Sequence, residues 1–182
     1  LSFLRHPEFH PSDRVHFWKK HIHTVVNRAD QIITDSIFQR REICELLNVD
    51  ESKVSSVHLG VDKDYRPYEA FECSEILQKY NLTYKQFNLV VSTIEPRKNF
   101  ERIIQAFSAL SHSLKKAYPL VIAGDKGWLS EEIHSEIEKL ITAGYAKKLG
   151  YVAEKDLPRL YASAAVFIYP SLYEGFGLPD RK

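Results

Sequence analysis

Arg97 and Lys98 are adjacent cations, and Asn99 follows them directly. Beyond Asn99, the apolar residues Phe100, Ile103, Ile104, Phe107 and Leu110 recur with the period of a helix. Asn99 is suited to cap that helix. Two cations at a helix N-terminus, where unsatisfied N–H groups and the helix dipole add positive potential, make an anion site. A second stretch, residues 169–179, places Glu174 beside Gly175, Phe176 and Gly177. A carboxylate next to accessible backbone amides suits a polyhydroxyl ligand that carries a phosphate, and the two glycines let a ligand approach the backbone. Gly124 and Lys126, in the run Gly-Asp-Lys-Gly-Trp, form a third loop, from which Lys126 either reaches the same ligand or stands exposed at the surface.

Each of these loops follows an apolar run that reads as a strand: residues 87–92, 118–123 and 164–168. A further short strand is expected at 146–149, and helices are expected at 99–110, 130–143 and 156–165. From residue 89 onward strands and helices therefore alternate, which predicts a parallel, right-handed, doubly wound α/β sheet of Rossmann-like type. Such sheets bind ligands at the carboxyl ends of their strands. Upstream, Ser12 is expected to cap a helix with Val15, Trp18, Ile22, Val25 and Val26 as its apolar stripe. Strands at 29–34 and 53–58 flank a helix capped by Asp35 or Ser36. Residues 69–80 read as a helix with Phe71, Ile76 and Leu77 turned inward.

The 182 residues, 44% hydrophobic and 27% charged, suffice for one domain or one and a fraction. Lys and Arg number 25 against 24 Asp and Glu, which argues against a nucleic-acid surface. No apolar run is long enough to span a bilayer. The two cysteines, Cys44 and Cys73, make no disulfide framework and are consistent with a cytoplasmic protein. The chain starts at Leu1 and contains no Met, so its start is read as not a natural one.

Two metal readings compete. His16, His21 and His23 lie on one expected helix, but no acidic or thiol ligand accompanies them at helical spacing. Asp62 and Asp64 have the Asp-x-Asp spacing that can hold a divalent cation, yet they precede a turn-like Tyr65-Arg66-Pro67. A solvated hinge is the expectation there, with no metal and no cofactor.

The runs Glu95-Pro-Arg-Lys-Asn99 and Pro170-Ser-Leu-Tyr-Glu-Gly-Phe-Gly-Leu-Pro179 resemble the donor-site motifs of the retaining GT-B glycosyltransferases of family 4. Gly150-Tyr151-Val152 is similar to that family's base-binding turn, and residues 29–62 resemble the end of its N-terminal, acceptor-binding half. The resemblance implies residues 1–63 as the tail of that half with a linker. It implies residues 64–182 as a nucleotide-sugar-binding domain, truncated at its C-terminus. It further implies Lys98 and Arg97 on the donor diphosphate, Glu174 on the donor sugar, and Gly175, Phe176, Gly177 and Leu178 around sugar and phosphate. Val152, Gly124 and Lys126 complete the substrate-binding set, with Val152 meeting the base.

The family's second Glu would stand at position 182, where this chain has Lys182. The cleft His of relatives lies upstream of Leu1. The expected function is sugar transfer from a nucleotide-sugar to a saccharide or lipid-linked acceptor, with a lean to mannose and surface polysaccharide. As written the chain is expected to be an inactive fragment. Peripheral membrane contact through the preceding half stays open. A non-catalytic nucleotide-sugar-binding module and a GT-B-fold epimerase are the alternatives.

Overall fold

The structure, a computed structural model, describes residues 1–177. It divides into two compact units: residues 1–60 together with 173–177, and residues 61–172.

In the first unit, helix α1 (Ser2–Arg5) is followed by α2 (Ser12–Arg28), strand β1 (Ile32–Thr34), helix α3 (Ile37–Leu47) and strand β2 (Val54–Ser56). β1 and β2 pair in parallel, Ile32 opposite Val54. The core is Val26, Ile43, Leu47 and Val54. Ser36 caps α3, its hydroxyl accepting from the Gln39 amide. Ser12 does not cap α2: it is the first helical residue, preceded by Pro11. Of the expected apolar stripe on α2, Val15 and Val26 are buried, while Trp18 and Val25 are exposed. Val15 and Val26 lie about three turns apart on one line of the helix, and Trp18 and Val25 fall off that line.

In the second unit, a 3-10 turn (Ala70–Cys73) leads into α4 (Ser74–Tyr80). There follow β3 (Asn88–Val91), α5 (Phe100–Ser108), α6 (His112–Ala117), β4 (Leu120–Ala123), α7 (Glu131–Thr142), β5 (Ala146–Gly150), α8 (Leu157–Ser163) and β6 (Val166–Phe167). The strands form one sheet in the order β5-β4-β3-β6. All three pairings are parallel. The period-2 alternation of strand side chains divides the core into two layers. Leu89, Val121 and Ala123 pack with Ile76, Leu77 and Leu160, from α4 and α8, on one face. Val90, Leu120 and Ile122 pack with Phe100, Ile103, Ile104, Phe107, Ile133 and Ile137, from α5 and α7, on the other. The expected doubly wound Rossmann-like sheet is therefore present.

Two details differ from the sequence reading. Phe71 is 77% exposed rather than inward, because residues 70–73 form a 3-10 turn closed by a Glu69–Glu72 capping box instead of the first turn of a helix. β6 is two residues long, at the end of the described strand order, and Val166 is exposed. An apolar run of this length does not by itself distinguish an edge strand from a buried central one.

Candidate functional site

β3 leads to β4 and β5 on one side, whereas β6 returns to its other side. This reversal is the topological switch point, where an open α/β sheet leaves a crevice at the carboxyl ends of its strands. The loop after β3 carries Arg97 and Lys98 into that position. Pro96–Lys98 form a 3-10 turn, and Asn99 is left-handed with φ 60°. Asn tolerates that conformation better than most residues. Asn99 occupies the N-cap of α5, but its side chain makes no capping bond. It donates instead from Nδ2 to the Pro170 carbonyl at 3.1 Å. The Leu172 amide donates back to the Arg97 carbonyl at 2.9 Å. The loops after β3 and β6 are thus braced to each other, and Lys98 Nζ lies 5.3 Å from the centre of the Tyr169 ring.

Arg97 carries a partner that was quoted in the motif without a role. Its Nη2 sits 2.6 Å from Glu95 Oε1, and the Glu95 side chain is 3% exposed. A buried carboxylate is tolerable only when paired and hydrogen-bonded. Glu95 therefore holds the guanidinium in place. The sequence signal was available: an acid two residues before the cation, across one Pro-initiated turn.

The residues around Val152, expected to meet the base, also converge. Val91, Ser92, Ala123, Gly124, Tyr151, Val152 and Leu157 line an open pocket of about 200 Å³. These residues come from the carboxyl ends of β3, β4 and β5 and from the start of α8. Val152 is buried, while Tyr151 at the rim is 77% exposed. Gly124 has φ 149°, and a Cβ there would lie 2.0 Å from the Ser92 carbonyl oxygen. Close approach of two backbones, rather than of ligand to backbone, requires glycine at this position. Lys126 has its ammonium 3.4 Å from Glu131, at the exposed start of α7.

Glu174, Gly175, Phe176 and Gly177 belong to the first unit, not to the unit that holds Arg97 and Lys98. This departs from a partition that ran unbroken from 64 to 182, and specific bonds account for it. The Ser36 hydroxyl donates to the Gly175 carbonyl at 2.6 Å. The Tyr173 hydroxyl donates to Glu42, whose carboxylate also accepts from Arg5 at 3.1 Å. The Phe176 ring lies 5.9 Å from that of His58. Glycine at 175 was read as an opening for a ligand, but the volume a Cβ would take there is already filled by the Gln39 side chain, 1.7 Å away. Gly177 has φ 79°, a conformation natural to glycine. Glu174 is half-buried. Leu178, and Lys182 at the place of the family's second Glu, lie outside the described residues.

Among the described residues, His, Cys, Asp and Glu gather nowhere in threes that could hold a metal ion. Asp62 uses Oδ1 to accept from the Asp64 amide at 2.9 Å, a local turn. No helix among the described residues is long and apolar enough to cross a membrane.

A parallel doubly wound sheet with adjacent cations at its switch point, beside a small pocket at the same strand ends, has the architecture in which open α/β sheets bind ligands. The family described as "Glycosyl transferases group 1" matches residues 74–179. The chain belongs to that family, the GT-B glycosyltransferases its motifs resemble. It is similar to the O-antigen chain mannosyltransferase B of Escherichia coli, 40% identical over 179 residues, which are 98% of this chain and 47% of that protein. It is also similar to the serotype-specific mannosyltransferase WbdA of Escherichia coli, 32% identical over 163 residues, or 84% of this chain and 19% of that protein. The chain thus spans about half the length of the first relative and about a fifth of the second. The structure of Anabaena Alr3699/HepE in complex with UDP and glucose superposes with a TM-score of 0.73 at 20% identity, over 90% of this chain and 45% of that one. That likeness is one of fold.

Proposed function

We propose that this chain supplies the donor-binding part of a retaining glycosyltransferase that moves a sugar from a nucleotide-sugar to a saccharide or lipid-linked acceptor. The sugar is mannose, and the product belongs to a surface polysaccharide. The observation that carries this reading is the placement of Arg97 and Lys98 at the switch point, at the same end of the sheet as the pocket around Val152. In this reading the base enters the pocket against Val152 and Gly124, and the diphosphate meets Arg97 and Lys98. Departure of the nucleoside diphosphate develops the largest charge in the reaction, and fixed cations at that point stabilise it more than they stabilise the ground state. Glu174 orients hydroxyls of the donor sugar. The amides of Gly175, Phe176 and Gly177 bind sugar or phosphate. Lys126 is a peripheral cation of the same site. With side-chain cations and a helix end supplying the charge, the reaction needs no metal.

The lean to mannose is supported by the printed names of the two Escherichia coli relatives. Retention of configuration is supported by the motif resemblance, with transfer on the face from which the diphosphate departs. The test is transfer of labelled mannose from GDP-mannose to a lipid-linked saccharide by a protein of the relatives' full length, with released nucleoside diphosphate followed alongside. Acceptor-dependent release with label in the saccharide is the expected result. Release without acceptor, or binding without release, would overturn transfer in favour of other nucleotide-sugar chemistry or of a binding module.

A further inference from the structure

Helix α3 and its cap hold the segment that carries Glu174. Ser36 makes two bonds with one hydroxyl: it accepts from the Gln39 amide at 3.1 Å, which caps the helix, and donates to the Gly175 carbonyl at 2.6 Å. One turn into the helix, the Gln39 side chain occupies the space left by the missing Cβ of Gly175. A further turn on, the buried carboxylate of Glu42 accepts from the Tyr173 hydroxyl, and the Phe38 and Tyr173 rings lie 5.9 Å apart. The contacts at 36, 39 and 42 fall three residues apart, the spacing that puts side chains on one helix face. Together they fix the segment on both sides of Glu174, at Tyr173 and at Gly175.

We propose that Ser36 and Glu42 are positioning residues for Glu174. They set the conformation in which the Glu174 carboxylate and the neighbouring amides meet the donor sugar, and they have no part in holding the nucleotide. The proposal rests on the reading of Glu174 as the sugar-binding carboxylate. It assigns recognition of the sugar, as distinct from the nucleotide, to residues that lie more than a hundred positions upstream of the motif itself.

The discriminating variant is Ser36→Asp. Aspartate caps a helix as well as serine does, but an ionised carboxylate accepts only and cannot donate to the Gly175 carbonyl. Ser36→Thr keeps both bonds and serves as the rescue. Two readouts on the 182-residue chain separate the outcomes. Hydrogen exchange of the 173–177 amides reports anchoring without any ligand. Calorimetric affinities for GDP and for GDP-mannose give the gain contributed by the sugar. In Ser36→Asp, and likewise in Glu42→Leu, which removes the acceptor of the Tyr173 hydroxyl, the 173–177 amides should exchange faster. GDP affinity should stay unchanged and the sugar-dependent gain should fall roughly fivefold, the scale of one net hydrogen bond. Ser36→Thr should restore both. Unchanged exchange in Ser36→Asp would overturn the anchoring. Faster exchange with an intact sugar gain would overturn the positioning role. If the wild-type chain gains nothing from the sugar while exchange responds as expected, the role of Glu174 fails, and this proposal fails with it.

Discussion

The side-chain amide of Asn99 reaches the carbonyl of Pro170 at 3.1 Å, and so ties the loop after β3 to the loop after β6 at the sheet's switch point. With the Leu172-to-Arg97 backbone bond, it links the two loops at two points. In the proposed function, bracing of this kind pre-organises Arg97 and Lys98 and spares ordering cost when the diphosphate binds.

Asn99→Gly separates the two functions of that residue. Glycine keeps the left-handed backbone at no steric cost but loses the amide. Unfolding by urea should show a loss of about 0.5–1.5 kcal/mol, the net contribution of one hydrogen bond. Nucleoside-diphosphate affinity should fall as well, since the cation-bearing loop is no longer braced.

Lys98 and Arg97 should respond differently to alanine. Lys98→Ala should weaken nucleoside-diphosphate binding by about 1.5–3 kcal/mol. Added salt should weaken wild-type binding more than it weakens the variant's. Arg97→Ala also strands the buried Glu95 carboxylate, and removing one member of a buried pair costs about 3–5 kcal/mol of stability. The double variant Glu95→Ala/Arg97→Ala should recover part of that loss. Calorimetric binding together with denaturant melts resolves all three.

Gly124→Ala forces a methyl group into the Ser92 carbonyl at an unfavourable backbone angle. Overpacking of this kind costs about 1–3 kcal/mol, with backbone strain in addition. The Tm should drop by several degrees. Because Ser92 and Gly124 both line the pocket, nucleotide affinity should fall even at temperatures where the variant stays folded.

Much of this was legible in the sequence, for identifiable reasons. The sheet unit could be read because its strands are short apolar runs and α5 has a clean helical period, with Phe100, Ile103, Ile104 and Phe107 all buried. The position of Arg97 and Lys98 at the carboxyl end of β3 could be read because charge just before a helix is a local signal, whereas Val152 was singled out by family resemblance. Leu110, the last member of that period, is exposed, because the helix ends at Ser108. What was not legible depended on long-range partners. Nothing near Asn99 in sequence shows that its amide goes to Pro170 rather than to the helix it precedes. Nothing near Gly175 shows that Gln39 fills its missing side chain, or that Ser36 and Glu42 reach the Tyr173–Gly175 backbone and ring. Glu42 stands in a helix that reads as polar at that point, yet it is 3% exposed, because Arg5 and Tyr173 satisfy it from distant positions.

The pH dependence has one identifiable contributor in α7. Burial, with Lys148 and Lys126 nearby, lowers the His134 pKa from its ordinary value of 6.5. The folded state therefore disfavours the proton that the unfolded chain accepts. Its stabilising effect is present above pH 6.5 and is lost as pH falls through the lowered folded value. Melts at pH 7.5 and pH 5.5 should show a smaller acid-induced drop in His134→Gln than in wild type.

The most direct test of the central claim is a calorimetric titration of GDP-mannose into the 182-residue chain, in EDTA and then in Mg²⁺. If Arg97, Lys98 and the end of α5 supply the charge for the diphosphate, binding will be saturable and equal in the two buffers. It will weaken as salt rises, be reduced by Lys98→Ala, and be indifferent to Asp62→Asn. Absence of binding to this or any other nucleotide-sugar, or affinity that appears only with the metal and disappears in Asp62→Asn, would contradict the account.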